Sequence, residues 1–309
     1  MVKKMVVRGA PSIEPAPSMA QRVETSGAPF VNAFGIGPLR FSAADWPTAW
    51  THFWALHAIP PEGSAASIDV VYVPVGADEL EVPGALLTEA IRASGSDGLQ
   101  WTIAMNRVFS AAFDVDARRL TIRAAADTAA QMALGNSLRV LTSALLPLQH
   151  DGLMVHASSG ILQGQGIAFA GISTAGKSTM AEGFKDTSYL TDDVTLLGTI
   201  SSAPRLLASP FYGALGRRGE VRSAPLRALC VLGDKVDTTR IERLLGAAAV
   251  SQVIRHVARF FPERTLTARL LDLVMMLVHT VPVLLVHRSL ADKSDDLVRA
   301  VLRDVGSAP

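Results

Sequence analysis

The stretch Ile167-Ala-Phe-Ala-Gly171-Ile-Ser-Thr-Ala-Gly176-Lys177-Ser178 decides how this chain reads: a short apolar strand runs into a glycine-rich turn and then a helical segment over 178–184. From Gly171 onward, every fixed position of the pattern G-x-x-x-x-G-K-S/T is met. Gly171 and Gly176 permit backbone angles that side chains disfavour, so successive amides can turn inward as an anion nest at a helix start. The pattern predicts a phosphate cradle built from Gly171, Ile172, Ser173, Thr174, Ala175 and Gly176. Lys177 is expected to bridge the β- and γ-phosphates of a nucleoside triphosphate. The Ser178 hydroxyl suits Mg2+, a hard cation that prefers oxygen, with Thr179 supporting it from the next position.

Downstream, Tyr189-Leu-Thr-Asp192-Asp193-Val-Thr-Leu-Leu197 reads as a strand with two carboxylates in its middle. Adjacent strand residues point to opposite faces, so two different jobs are expected. One aspartate, Asp192 in the assignment adopted for the metal, contacts Mg2+ directly or through water. The other faces an acceptor hydroxyl as general base, and the sequence does not say which of the two is the base. If the pair instead ends a strand at a turn, neither job follows. His156 precedes Gly171 by 15 positions and reads either as a core histidine or as a phosphate or acceptor contact. Arg217, Arg218 and Arg222, in a glycine-flanked loop, read either as a clamp on an anion or as a solvated basic loop. The remaining histidines lack metal-ligand spacing, no G-x-S-x-G elbow is present, and Gly164-Gln-Gly166 reads as a hairpin turn.

Working outward, residues 150–309 alternate short apolar strands with glycines: 153–156, 160–163 and 167–170 read as strands. Leu270 to Val286 reads as a buried helix followed by a buried strand, because Asp272, His279 and Pro282 interrupt it. Residues 29–149 read as an α+β lobe. Its strands are expected at 68–75, 99–105, 107–113 and 120–123, forming a largely antiparallel sheet, and a long helix is expected over 124–148. Trp46, Trp50 and Trp54 recur every four residues, as a helical stripe that either packs on a sheet or offers a stacking surface. Residues 1–28, proline-bearing and without periodicity, read as a flexible arm.

Composition removes several classes. Hydrophobic residues make up 49% and charged residues 18%, too apolar a balance for a disordered chain. Twenty-nine Lys+Arg against 28 Asp+Glu leave a charge of +1, so no global field recruits nucleic acid or an anionic membrane. A single cysteine, Cys230, suits a reducing compartment, and no signal-like apolar run opens the chain; a cytoplasmic location is expected.

At His156, the run Gly164-Gln-Gly166-Ile-Ala-Phe-Ala, the loop 171–178 and Asp192-Asp193, the sequence resembles the HPr kinase/phosphorylase family, whose kinase domain is similar to phosphoenolpyruvate carboxykinases. The likeness covers about 45 residues, with weaker support from the helix and Val281–Val286 strand near the end. It implies an α/β fold with a P-loop kinase core of that type and ATP and Mg2+ as partners. The histidine would lie near the reacting phosphate, and the aspartates would supply a base and a metal contact. The Glu- and Gly-containing signature that follows the aspartates in that family has no match; Ser209-Pro-Phe-Tyr-Gly-Ala-Leu-Gly-Arg-Arg-Gly219 stands there instead. HPr is therefore a poor acceptor candidate, and the divergent HPr-kinase-like proteins of modified-peptide biosynthesis are the nearer resemblance. The resulting expectation is ATP-dependent phosphorylation of a Ser or Thr hydroxyl of a peptide or protein. A nucleotide-responsive binding protein and a small-molecule hydroxyl kinase stand as alternatives. Homo-oligomerisation stays open.

Overall fold

The computed structural model describes residues 33–42, 67–80, 92–96, 100–105, 107–124, 128–184 and 187–306. The expected arm over 1–28 and the Trp46, Trp50 and Trp54 stripe lie outside these residues. Within them the chain is a mixed α/β protein with two sheets and five helices.

The first sheet holds β1 (Ala33–Ile36), β2 (Leu39–Ser42), β3 (Ile68–Pro74), β4 (Arg92–Ser96), β5 (Gln100–Met105), β6 (Phe109–Asp114) and β7 (Arg119–Ala124), in the order β1-β2-β3-β7-β6-β5-β4. Burial alternates along β5, β6 and β7, the signature of a sheet with one face covered. Trp101, Ile103, Phe109, Phe113, Leu120 and Ile122 point into the covered side. The cover is α1 (Thr128–Gln149), whose Leu134, Leu138, Leu141 and Leu145 are buried at helical spacing. The expected antiparallel character holds for β1–β2 and for β4 to β7, but β2–β3 and β3–β7 run parallel. The β3–β7 register pairs Asp69 with Arg119, and the two side chains close an ion pair at 3.1 Å.

The second sheet contains β8 (Leu153–Leu162), β9 (Gln165–Ala170), β10 (Ser188–Thr191), β11 (Val194–Gly198), β12 (Arg205–Leu207), β13 (Ala224–Lys235), β14 (Arg240–Leu244) and β15 (Val283–Arg288). Where the sequence suggested two short strands before residue 163, β8 is a single ten-residue strand. It pairs with β11 through Leu153–His156, with β9 through Ala157–Leu162, and with β10 through Ser159–Ile161. The β8–β9 hairpin turns at Gln163 and Gly164, both at positive φ, one residue earlier than the glycine spacing indicated. At the centre, β9, β13 and β15 are parallel neighbours.

Helices cover both faces. α2 (Lys177–Glu182) and α5 (Ser294–Gly306) lie over a cluster that includes Phe169, Met180, Phe184, Cys230, Val286 and Val301. α3 (Gly246–Ile254) and α4 (Arg264–Thr280) belong to the larger cluster, which continues without a break through Leu146 and Leu153 into the first sheet. Trp101 and Phe261 pack against each other within it, their rings tilted by 40° with centroids 5.1 Å apart. The helix-then-strand expectation for 270–286 is met by α4 and β15, although Leu271, Met275 and Met276 are exposed on α4. Among the described residues, no helix is long and apolar enough to cross a membrane.

Candidate functional site

The glycine-rich loop joins β9 to α2, in the strand–loop–helix order expected of it. Thr174 and Gly176 adopt positive φ, 73° and 103°, which curls the chain sharply before the helix begins. A Cβ on Gly171 would stand 2.9 Å from that of Ala175, so the tight start of the turn also needs a glycine. Met180, Ala181 and Phe184 anchor α2 to the sheet and thereby fix the loop. Lys177 is only 7% exposed, and its Nζ donates to the carbonyls of Gly171 (3.0 Å) and Ile172 (2.9 Å). Burial lowers the pKa of this amine, and the charges of Asp193 and Asp192 oppose that shift.

A cleft of about 400 Å³ opens at the loop. Ser173, Thr174, Gly176, Lys177, Ser178 and Thr179 line it together with His156, Asp192, Asp193, Gly213 and Ala214. Gly171, Ile172 and Ala175 shape the loop without lining the cleft; Ile172 faces outward. The structure thus brings the predicted loop, histidine and aspartate pair to one place.

The aspartates do not sit inside a continuous strand. β10 ends at Thr191 and β11 begins at Val194. The Thr191 hydroxyl donates to Phe211 O (2.7 Å) and accepts from the amides of Asp193 (3.1 Å) and Val194 (3.3 Å), a local turn that interrupts the strand. The pair thus ends a strand at a turn, so strand alternation assigns neither aspartate a job, and the two carboxylates differ only through the environments this break gives them. Asp192 is 2% exposed. Its Oδ1 accepts from Tyr189 OH (3.0 Å) and Gly213 N (2.7 Å), and its Oδ2 from Leu215 N (2.9 Å). It thereby holds the segment 209–215, which Ser209 also stitches down through Val194 O (2.6 Å). Burial, then the charge and hydrogen bond of Asp192, push the Tyr189 hydroxyl well above its usual pKa.

Asp193 meets cations instead. Its Oδ2 lies 2.8 Å from Arg139 Nη2, and its Oδ1 3.2 Å from His156 Nδ1, which is also 3.0 Å from the Asp193 carbonyl. Burial would raise this carboxyl, but the His156 hydrogen bond and the Arg139 charge outweigh it, leaving the pKa below the ordinary carboxylate value. His156 is placed by pairing with Val194 and by donating its amide to His256 O (2.7 Å). Arg217, Arg218 and Arg222 do not line the cleft. Arg217 stacks over the Tyr189 ring at 4.8 Å and lines a second cavity of about 800 Å³ beside the end of α2. Arg222 bonds Ser188 Oγ (2.6 Å).

Sequence reasoning missed Arg139, Tyr189 and the role of Gly213 and Leu215. Arg139 left one usable signal: it is the only charged residue in the 22-residue helix α1. Among the described residues, no group of three or more His, Cys, Asp or Glu converges on a metal position. A cation here would take most of its ligands from phosphate and water, with Ser178 and Asp192, which both line the cleft, as the protein oxygens on offer. That sparse oxygen set fits Mg2+.

No protein-family model and no curated sequence matches the chain. Among solved structures, the Hpr(Ser) kinase/phosphatase from Coxiella burnetii is similar at a TM-score of 0.30, with 13% identity, over 49% of this chain and 88% of that one.

Proposed function

We propose that the protein is an ATP-dependent kinase transferring the γ-phosphoryl group to a hydroxyl, with a Ser or Thr side chain of a peptide or protein as acceptor. One observation carries the reading. The 173–179 segment, with its lysine and hydroxyls, shares a cleft with an ionised carboxylate held by a histidine and an arginine.

In this reading, the loop amides and Lys177 grip the triphosphate, the lysine exchanging its bonds to Gly171 O and Ile172 O for phosphate oxygens. Mg2+, held by Ser178 and Asp192, supplies neutralisation of phosphate charge when bound. Asp193 takes the proton of the acceptor hydroxyl as the new O–P bond forms, and the β–γ bridging bond breaks with its electron pair leaving on ADP. Arg139 and His156 keep Asp193 ionised and fix its direction. Asp192 acts by ordering the 209–215 segment that closes one side of the cleft. Residues 150–309 would form the P-loop kinase-like unit, with the 29–149 lobe lending Arg139. The single buried thiol, Cys230, suits the reducing cytoplasm.

One observation favours a second reading, a nucleotide-responsive binding protein without transfer: a carboxylate held below its ordinary pKa is a weak base. Incubation with γ-labelled ATP, Mg2+ and a Ser/Thr peptide pool separates the two. Label in a peptide that disappears with Asp193→Asn supports the kinase. Nucleotide binding with no transfer by the wild type supports the sensor.

A further inference from the structure

A second buried cation stands at the cradle, outside the glycine-rich motif. Ala170, Val231 and Leu285 form one row across β9, β13 and β15, so the loop after Ala170 and the last residues of β15 emerge on the same sheet edge. Arg288 ends β15 there and is 8% exposed. Its guanidinium lies against Gly176: a Cβ at that glycine would be 2.6 Å from Nη2 and 3.1 Å from Nε and Cζ. Gly176 is thus required by its φ, and the tip of the arginine packs directly on it.

What Arg288 lacks is a partner. Among the described residues its side chain makes no ion pair and no hydrogen bond, and its Nε is buried with none. A guanidinium does not shed its charge when desolvated, so burying one without an anion is costly unless an anion arrives. The guanidinium lies behind Gly176, one residue beyond those that line the cleft, at the cradle where the proposed function puts phosphates.

We propose that Arg288 is a ligand of the nucleotide's phosphate chain, a cation that the fold brings to the 171–178 loop from a distant strand. The inference rests on the nucleotide-binding reading above and names the chemistry recognised, a linked di- or triphosphate. Its planar fork can bond two phosphate oxygens at once, where the Lys177 ammonium acts as a point charge. A purely structural Arg288, serving only to pack against the loop, would make the opposite predictions for its removal.

The test is calorimetric titration of wild type, Arg288→Met and Arg288→Lys with Mg-ATP, Mg-ADP and pyrophosphate, together with thermal melting of each protein without ligand. Arg288→Met is expected to melt no lower than wild type when empty, because an unpaired buried charge has gone. It is also expected to bind all three ligands roughly tenfold to a hundredfold more weakly. Arg288→Lys should fall in between. Unchanged affinity in the folded variants, or a lowered melting temperature with unchanged affinity, overturns the proposal. If Arg288→Met does not fold, Arg288→Lys decides: weakened binding supports the assignment and wild-type binding overturns it. A wild type that binds none of the three overturns the nucleotide reading itself, and this inference with it.

Discussion

Arg139 Nη2 lies 2.8 Å from Asp193 Oδ2, so the long helix of the first sheet's layer reaches across the shared core to fix a carboxylate in the cleft of the second. The same guanidinium stands 5.4 Å from the centroid of the Phe211 ring, in the segment that Asp192 holds. One side chain therefore ties α1, the aspartate turn and the 209–215 segment together. Replacing it with Met should destabilise the fold by about 1–3 kcal/mol, since a largely buried charged hydrogen bond is lost and Asp193 is left with His156 alone. Phosphoryl transfer should fall by about tenfold or more, with nucleotide affinity kept and partial recovery in Arg139→Lys. Urea denaturation and initial-rate measurements check the two effects separately.

The two aspartates should fail differently. Asp192→Asn replaces one acceptor oxygen with an amide donor facing amide and hydroxyl donors, so it should cost about 1–3 kcal/mol of stability. Limited proteolysis should then cut within 209–219. Asp193→Asn should leave that segment protected and Mg-ATP binding intact while transfer drops at least about a hundredfold. Equal loss of protection in both variants would contradict the division of labour.

The depressed pKa of Asp193 makes a signed statement about pH. Burial acts to raise it, but His156 and Arg139 hold it below the ordinary range, so the folded protein binds that proton less readily than the unfolded chain. The stabilisation is complete above the unfolded carboxylate pKa, about 4, and is lost as pH falls through the lower folded value. The stability gap between wild type and Asp193→Asn should close as pH falls below about 4. Denaturation midpoints between about pH 5 and pH 3 measure it, and a gap that stays open at the acid end would contradict the assignment.

Gly219 stands where the arginine-bearing loop returns to β10. A Cβ there would fall 1.7 Å from Leu190 O, a backbone atom that cannot swing aside, and the neighbouring Glu220 N donates to Tyr189 O at 2.8 Å. Gly219→Ala should break this latch and cost about 1–3 kcal/mol. Melting temperature and proteolysis of the 209–222 loop report it.

Local sequence carried the parts of this fold that local physics builds. The β8–β9 hairpin, the glycine-rich turn before α2 and the leucine spacing of α1 are each visible within a dozen residues. The parallel β3–β7 pairing joins Asp69 to Arg119, far apart in the chain, and no local period announces it. The break between β10 and β11 was partly legible: a threonine followed by two aspartates can form a side-chain-bonded turn, and the apolar residues on either side hid it. Arg139, Tyr189 and Arg288 matter because of what the topology sets beside them, and their neighbours in sequence say nothing of that.

Calorimetric titration of the wild type with Mg-ATP, run beside Lys177→Met, bears most directly on the claim that the 171–178 loop holds a nucleoside triphosphate. Wild type is expected to show saturable one-to-one binding that Lys177→Met loses, the variant staying folded because buried Met180, Ala181 and Phe184 anchor α2. No detectable heat from any purine triphosphate in the wild type, or undiminished binding in the folded variant, would contradict it.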